Sequence, residues 1–247
     1  PIICRGILSK KDHSLSGKMN KDNTPEIFSV IAKNYDFLNH LLSFNLDRSW
    51  RRRLVSLSGF RPGDKILDVC TGTGDIAIEF ARRGARDITG IDLSARMLAR
   101  AQQKIEKLNL ATKIKLKTGS AINLPYGDMT FDLVTIGFGL RNLPDYSRGI
   151  REMARVLKPS GRLLILEFSL PTNKLTYGLY SLYLKNYLPL AGRLFSGSAQ
   201  AYSYLASSIF SFLKPEEVMA LIRQSGLRNL SCLNLTAGVV TIYSAQK

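Results

Sequence analysis

The chain has 247 residues, enough for one large α/β domain with a sizeable core. With 35 lysines and arginines against 19 acidic residues the formal charge is +16, which leaves nucleic acid, an anionic membrane surface or nothing specific as the partner. Cys4, Cys70 and Cys232 stand apart without paired spacing, so neither a disulfide framework nor a metal site is indicated and a reducing cytosol fits.

Residues 1–23 are polar and basic beyond the first few and lack the apolar core and cleavage site of a secretory signal. They read as a mobile basic tail, with a cropped transit peptide as the alternative. Thr24-Pro25-Glu26 starts a helix, Thr24 as its cap and Pro25 in its first turn. Ile27, Val30, Ile31, Leu38, Leu41 and Leu42 follow at helical spacing. After a turn at Asn45 and Asp47, a second helix sets Trp50, Leu54 and Leu57 on one face and Arg48, Arg51, Arg52 and Arg53 on the other. Together, residues 24–60 form an N-terminal helical cap on a domain spanning 24–247.

The stretch from Lys65 to Asp92 organises the rest. Ile66, Leu67 and Val69 mark a buried strand, Gly72 and Gly74 a tight turn, and an apolar-periodic helix leads to a second strand ending in Asp92. This is the opening unit of a nucleotide-type cofactor site, with Asp92 placed to accept from both hydroxyls of a ribose. Gly72-x-Gly74-x-x-Ala77 also satisfies the dinucleotide pattern of an NAD enzyme. Asp68 inside the strand and Asp75 at the helix start, where a pyrophosphate would meet negative charge, favour the zwitterionic S-adenosylmethionine.

Strands and helices then alternate. Further strands fall at Lys113 to Thr118, at FDLVTIGFG and, nearly all apolar, at Arg162 to Phe168; a helix over Asp145 to Leu157 is stopped by Lys158-Pro159-Ser160-Gly161. Residues 171–213, rich in Tyr, Leu and Ser, break the pattern and read as an inserted helical lid. Within them Leu194 to Leu213 is long and uncharged, but its serines make it too polar to span a bilayer. A last helix and two strands, separated by Thr236 and Ala237 and so an antiparallel hairpin, complete the chain.

LDVCTGTGD, GID, FDLVTIGFGLRN, VLKPSGRLLILEFS and NLTAGVV closely resemble the menaquinone/ubiquinone biosynthesis C-methyltransferases, which methylate a ring carbon of a polyprenylated quinol. NYDFLNHLLSFNLDRSWR looks like the same family's N-terminal signature. The resemblance runs from about Phe28 to Val240, and Phe-Gly-Leu-Arg-Asn after strand four is far more specific than the glycine loop. It implies a Rossmann-like class I S-adenosylmethionine-dependent methyltransferase. The sheet would have seven mostly parallel strands with the last antiparallel, N-terminal helices and a helical insertion after strand five. Carried over by position, Asp68, Gly72, Thr73, Gly74, Asp92, Leu93, Ser120, Ala121 and Gly137 would bind the cofactor, Ser120-Ala121 flanking the adenine. Ser120 stands where the family usually has Asp or Asn, which weakens the expected bond to the adenine amino group. Asn45 replaces a common Gly, but Asn tolerates positive φ.

Methyl transfer from a sulfonium starts from an activated electrophile, so the protein must position the acceptor and make its carbon nucleophilic. A cation beside the quinol oxygen would stabilise the phenolate. Arg141 after strand four is the candidate. Taken without the resemblance it reads better as an ion-pair partner of Asp145. Asn142 either orients the quinol oxygen or caps the turn at Pro144. Tyr35 and Asp36 are candidate proton acceptors, directly or through water; His40 lacks an orienting partner and His13 lies in the tail. Leu179, Leu182, Leu184, Leu188, Leu194, Leu205, Ile209 and Phe212 line a prenyl channel or simply pack the lid.

Demethylmenaquinol is the favoured acceptor, with 2-polyprenyl-6-methoxy-1,4-benzoquinol as a second or additional one. The Arg48–Arg53 cluster suits peripheral contact with anionic lipid, while Trp50 belongs in the core. A homodimer is compatible with this reading. An RNA methyltransferase is the rival suggested by charge, but there is no Asn-Pro-Pro-Tyr-type motif after strand four and no RNA-binding appendage, so no nucleic-acid partner is expected. A non-enzymatic cofactor-binding module is the third class.

Overall fold

The computed structural model describes residues 43–188, 190 and 199–247. The basic tail, the helix expected from Thr24, and Tyr35, Asp36, His13 and His40 lie outside the described residues. Seven strands form one sheet: β1 (Lys65–Val69), β2 (Asp87–Asp92), β3 (Ile114–Thr118), β4 (Phe131–Gly137), β5 (Leu157–Phe168), β6 (Arg228–Leu235) and β7 (Val240–Gln246). Their order is β3-β2-β1-β4-β5-β7-β6, parallel throughout except for β7, which runs against both β5 and β6.

The apolar strands bury both faces, as their near-continuous Val/Ile/Leu runs require. Along β5, Leu163 and Ile165 enter one core while Leu164 and Leu166 enter the other, following the two-residue alternation of a strand. One core is closed by α1 (Leu46–Ser58), α2 (Asp75–Arg82) and α3 (Ala95–Lys107); the other by α4 (Tyr146–Val156) and the helix Pro215–Gln224. Asp145 caps α4 and Ser94 caps α3, each accepting a backbone N–H of the first turn.

The structure departs from the sequence reading in two local respects. The helix stops at Val156, ahead of Lys158, but the strand expected from Arg162 is longer: β5 already begins at Leu157, which pairs with Phe131, and an irregularity separates this pair from Leu133 and Arg162. Leu57 is exposed, whereas Asp47, Trp50, Leu54, Val55 and Ser58 form the inner face of α1. Asp47 can be buried there because Arg51, one turn on, pairs with it. Trp50 is a core residue, its indole N–H donating to Thr236 Oγ1 at 2.8 Å. Asn45 has φ 59°, the turn geometry expected of it.

The insertion is helical: α5 (Lys174–Leu182), a π-helical turn (Tyr183–Tyr187) and α6 (Ala199–Phe210). Numbered in chain order, Pro215–Gln224 is then α7. Leu184, Leu188 and Ile209 close a small core of the lid's own with Tyr202 and Ala206. Phe212 joins the main core against Tyr146, Leu179 and Leu182 are exposed, and Leu194 lies outside the described residues. Among the described residues no helix is long and apolar enough to cross a membrane.

Candidate active site

The strand order reverses between β1 and β4, so their carboxyl ends open the crevice where ligands bind in doubly wound sheets. The loop after β1 crosses this opening. Gly72 and Gly74 take positive φ (56° and 83°), and a Cβ built on Gly72 would meet nothing within 4 Å, so its outer side is open. The loop is pinned from below: the Thr71 N–H donates to Ile91 O at 3.0 Å, and the Gly72 N–H to Asp92 Oδ2 at 2.9 Å. From the other side, the loop after β4 comes so close that a Cβ on Gly139 would sit 2.5 Å from Cys70 Cβ.

Asp68 lies beneath this loop and faces the interior. Its carboxylate accepts from Thr71 Oγ1 at 2.7 Å and Thr135 Oγ1 at 2.9 Å, which makes it a support of the glycine turn. Burial raises its pKa from 3.8 to about 6; the two hydroxyls, the Ala77 N–H and the charge of Arg51 hold it from going higher. A raised carboxyl pKa favours the fold fully below the unfolded value of 3.8, and this is lost as pH rises towards about 6. The expected size is about 3 kcal/mol, from the cost of a roughly two-unit shift. Denaturation of the protein and of Asp68→Asn across pH 4–7 checks this: the stability difference should change through that window and be flat above it. A difference that is constant with pH would remove the titration.

Asp92 ends β2 with each oxygen holding one backbone donor, Gly72 N–H on Oδ2 and Ser94 N–H on Oδ1, both at 2.9 Å. A carboxylate has about four lone-pair sites, so each oxygen keeps acceptor capacity for a ribose hydroxyl. Burial raises the pKa of Asp92 and the backbone N–H groups of Ser94, Gly72 and Leu93 oppose that rise. Next to it Leu93 is 55% exposed, an apolar surface beside the acceptor pair. This donor–acceptor set fits an adenosine: open space over a glycine turn, a ribose acceptor and an apolar shelf.

The remaining predicted cofactor residues divide. Thr73 is buried with its hydroxyl accepting from Lys104 Nζ at 3.2 Å. Ala121 packs into the core, while Ser120 Oγ accepts from the Ile122 N–H at 3.4 Å, so this pair meets the crevice chiefly through backbone. At Gly137 the backbone is closely packed, and a Cβ there would lie 2.3 Å from Ile76 Cδ1 and push that side chain aside. Asp75 is ion-paired with Lys104 at 2.5 Å and faces Arg51 at 3.6 Å. Its charge is therefore largely offset, and the objection to a pyrophosphate drawn from Asp75 loses its force.

At the end of β4, Phe138 adopts φ 56°, a strained conformation for a bulky side chain. Its N–H donates to Leu166 O at 2.7 Å, and its carbonyl accepts from Arg141 Nη1 at 2.5 Å and Asn142 Nδ2 at 3.4 Å. Its ring packs on Phe168 with centroids 4.6 Å apart and on Trp50 at 6.1 Å. Arg141 is only 4% exposed and does not pair with Asp145, which is occupied in capping α4. Its partner is Glu167, at 2.7 Å and wholly buried. Arg141 Nε donates to Ser208 Oγ at 3.3 Å, and Tyr204 OH donates to Asn142 Oδ1 at 3.2 Å. Two residues one turn apart on α6 thus dock the insertion on both members of the Arg-Asn pair.

Sequence reasoning missed Glu167, Phe138, Ser208 and Tyr204. For Glu167 a signal existed: it is the only charged residue in the run LLILEF, and a carboxylate in such a strand must find a cation or several donors. The lid hydroxyls carried no such mark. Two tyrosines of the insertion are poor bases, since burial and a neighbouring tyrosine push Tyr180 and Tyr183 well above the usual phenol range.

The pattern of the ubiE/COQ5 methyltransferase family matches residues 16–247. The ubiquinone/menaquinone biosynthesis C-methyltransferase UbiE of Geotalea daltonii is 43% identical over 224 residues, covering 90% of this chain and 95% of that one. The demethylmenaquinone methyltransferase of Staphylococcus aureus is 40% identical over 232 residues, 93% and 95% of the two chains. Among solved structures, a SAM-dependent methyltransferase of Thermotoga maritima aligns with a TM-score of 0.62 at 19% identity, over 90% of this chain and 99% of that one. The phosphoethanolamine N-methyltransferase 2 of Haemonchus contortus, in complex with S-adenosyl-L-methionine, aligns at 0.60 and 16% identity, over 80% of this chain and 52% of that one. At such identities the structures share the fold alone.

Proposed function

The chain belongs to the ubiE/COQ5 methyltransferase family, and from that premise we propose that this S-adenosylmethionine-dependent C-methyltransferase converts a demethylmenaquinol to menaquinol. When bound, S-adenosylmethionine supplies an electrophilic methyl group. Asp92 would hold its ribose, the Gly72–Gly74 backbone its amino-acid end, and Leu93 with the Ser120–Ala121 backbone its adenine.

The observation that carries the acceptor assignment is the state of Arg141. Nε and Nη1 are committed to Ser208, Phe138 and Glu167, while Nη2 makes no hydrogen bond among the described residues. A guanidinium held on three sides offers its fourth to a quinol oxygen and lowers the cost of deprotonating it. Asn142 orients the same oxygen. Because Tyr180 and Tyr183 stay protonated, the proton acceptor is drawn from Tyr35, Asp36 or water. Leu175, Leu179 and Leu182 form an exposed stripe on α5, and Arg48, Arg52 and Arg53 are exposed on α1. Both features favour peripheral contact with an anionic bilayer, from which a prenylated quinol would be drawn.

The test is turnover with S-adenosylmethionine and reduced quinols carried in vesicles. Demethylmenaquinol should yield the methylated product, faster and with more protein pelleting when the vesicles contain anionic lipid. Product only from the methoxybenzoquinol would move the assignment to the ubiquinone branch, and no product from either would sink it. Equal pelleting with zwitterionic vesicles would remove the preference for anionic lipid alone, and no pelleting with either would remove the membrane contact.

A further inference from the structure

We propose that Glu167 is a positioning residue for methyl transfer, fixing Arg141 so that Nη2 is the edge offered to the acceptor oxygen; this rests on the functional reading above. Glu167 ends the apolar run of β5 and has no exposed surface. Its carboxylate takes three donors: Arg141 Nη1 at 2.7 Å, the Arg141 N–H at 3.1 Å and the Phe168 N–H at 2.9 Å. One group therefore anchors both the backbone and the side chain of Arg141. The β4–β5 register places it there, since Gly137 pairs with Leu166 and the loop after β4 folds back over the next residue of β5.

The other sides of the guanidinium are closed as well. Phe138 O and Ser208 Oγ take further N–H groups, and the Phe168 ring lies 5.2 Å from the guanidinium carbon. An unrestrained arginine has several rotatable bonds and would sample many orientations, so holding it in advance lowers the cost of meeting a developing phenolate. Stability alone is a weak reason for such a pair, because apolar residues of similar volume commonly serve a buried site equally well. A pair beside a crevice, with one donor edge left over among the described residues, is better explained by orientation.

The positive charge of Arg141 is offset by Glu167 in this arrangement. Removing the carboxylate charge should therefore loosen Arg141 and at the same time strengthen its field. With demethylmenaquinol as acceptor, Glu167→Gln should lower kcat about tenfold or more, as small misplacements near the reacting atoms do. The acidic limb of kcat for the quinol should shift down by about one pH unit, because kcat reports the bound quinol and its phenolate faces an uncompensated cation. S-adenosylmethionine affinity, measured by calorimetry, should stay near wild type. Glu167→Asp keeps the charge but draws the carboxylate back by one methylene. It should lose kcat several-fold, on the order seen for sub-ångström misplacement, with the limb unmoved.

A residue that only stabilised the fold would lower the melting temperature while leaving kcat per folded molecule and the pH limb unchanged in both variants; that result overturns the proposal. If Glu167→Gln fails to fold, wild-type kcat in Glu167→Asp overturns it equally. Wild-type protein inactive on both quinols would overturn the functional reading and this inference with it, whereas active wild type with unchanged variants overturns this inference alone.

Discussion

Arg141→Met is expected to lower kcat for quinol methylation on the order of a hundredfold to a thousandfold, the range for deleting an oxyanion-stabilising donor. Methionine fills much of the same volume, but it removes the Nη2 donor edge and every side-chain bond that Arg141 makes to Glu167, Phe138 O and Ser208. Glu167 is then left buried with two backbone N–H groups as its remaining partners, and the strained Phe138 carbonyl loses its nearest donor. Breaking a buried pair from one side costs about 3–5 kcal/mol, so the variant should also melt earlier.

Activity and stability are separated by Arg141→Lys. An ammonium keeps the charge and can pair with Glu167, but it cannot serve Glu167, Phe138 and Ser208 and still present a free edge in the same plane. Its melting temperature should recover towards wild type while kcat remains depressed, with S-adenosylmethionine affinity little changed. Full turnover in Arg141→Lys would show that fixed guanidinium geometry is irrelevant to the reaction.

For Asp92→Ala the expected loss is in cofactor binding, on the order of a hundredfold or more in Kd, since two charge-assisted hydrogen bonds at about 1.5–3 kcal/mol each are removed. The same carboxylate holds the Gly72 and Ser94 N–H groups, so the glycine turn loses a pin as well as the ribose its acceptor. Calorimetric titration with S-adenosylmethionine reads this directly. The sign with pH follows from burial, which raises the Asp92 pKa. As pH falls through that raised value the carboxylate takes up a proton and loses acceptor capacity. Affinity should thus fall on the acid side sooner than for an ordinary aspartate, and Asp92→Ala should abolish that dependence. Unchanged affinity in Asp92→Ala would place the ribose elsewhere.

Much of the fold was legible because it is written in local pattern. Ile66, Leu67 and Val69 before two glycines, and Thr236-Ala237 between two strands, each act within a few residues, and each appears where expected. The entry to β5 was not legible, because Leu157 becomes a strand residue only by pairing with Phe131, 26 positions earlier. The lid leucines were ambiguous for a related reason. Helical spacing says which residues share a face, but not whether that face meets Tyr202 and Ala206, a ligand or solvent.

The candidate site divides along the same line. The residues alone determined the class of cofactor unit, a glycine turn followed by an acid at the end of the next strand, since that geometry arises within one strand–turn–helix–strand segment. Arg141 and Asn142 are singled out only through the family resemblance that the Phe-Gly-Leu-Arg-Asn motif carries; without it Arg141 reads as a partner of Asp145. Only the tertiary structure decided what Arg141 is bound to. Asp145 is four residues away along the chain and turns to cap a helix, whereas Glu167, 26 residues on, is brought against the guanidinium by the register of β4 on β5. A buried charge takes the partner that packing brings within hydrogen-bond reach, and separation along the chain has no say in that choice.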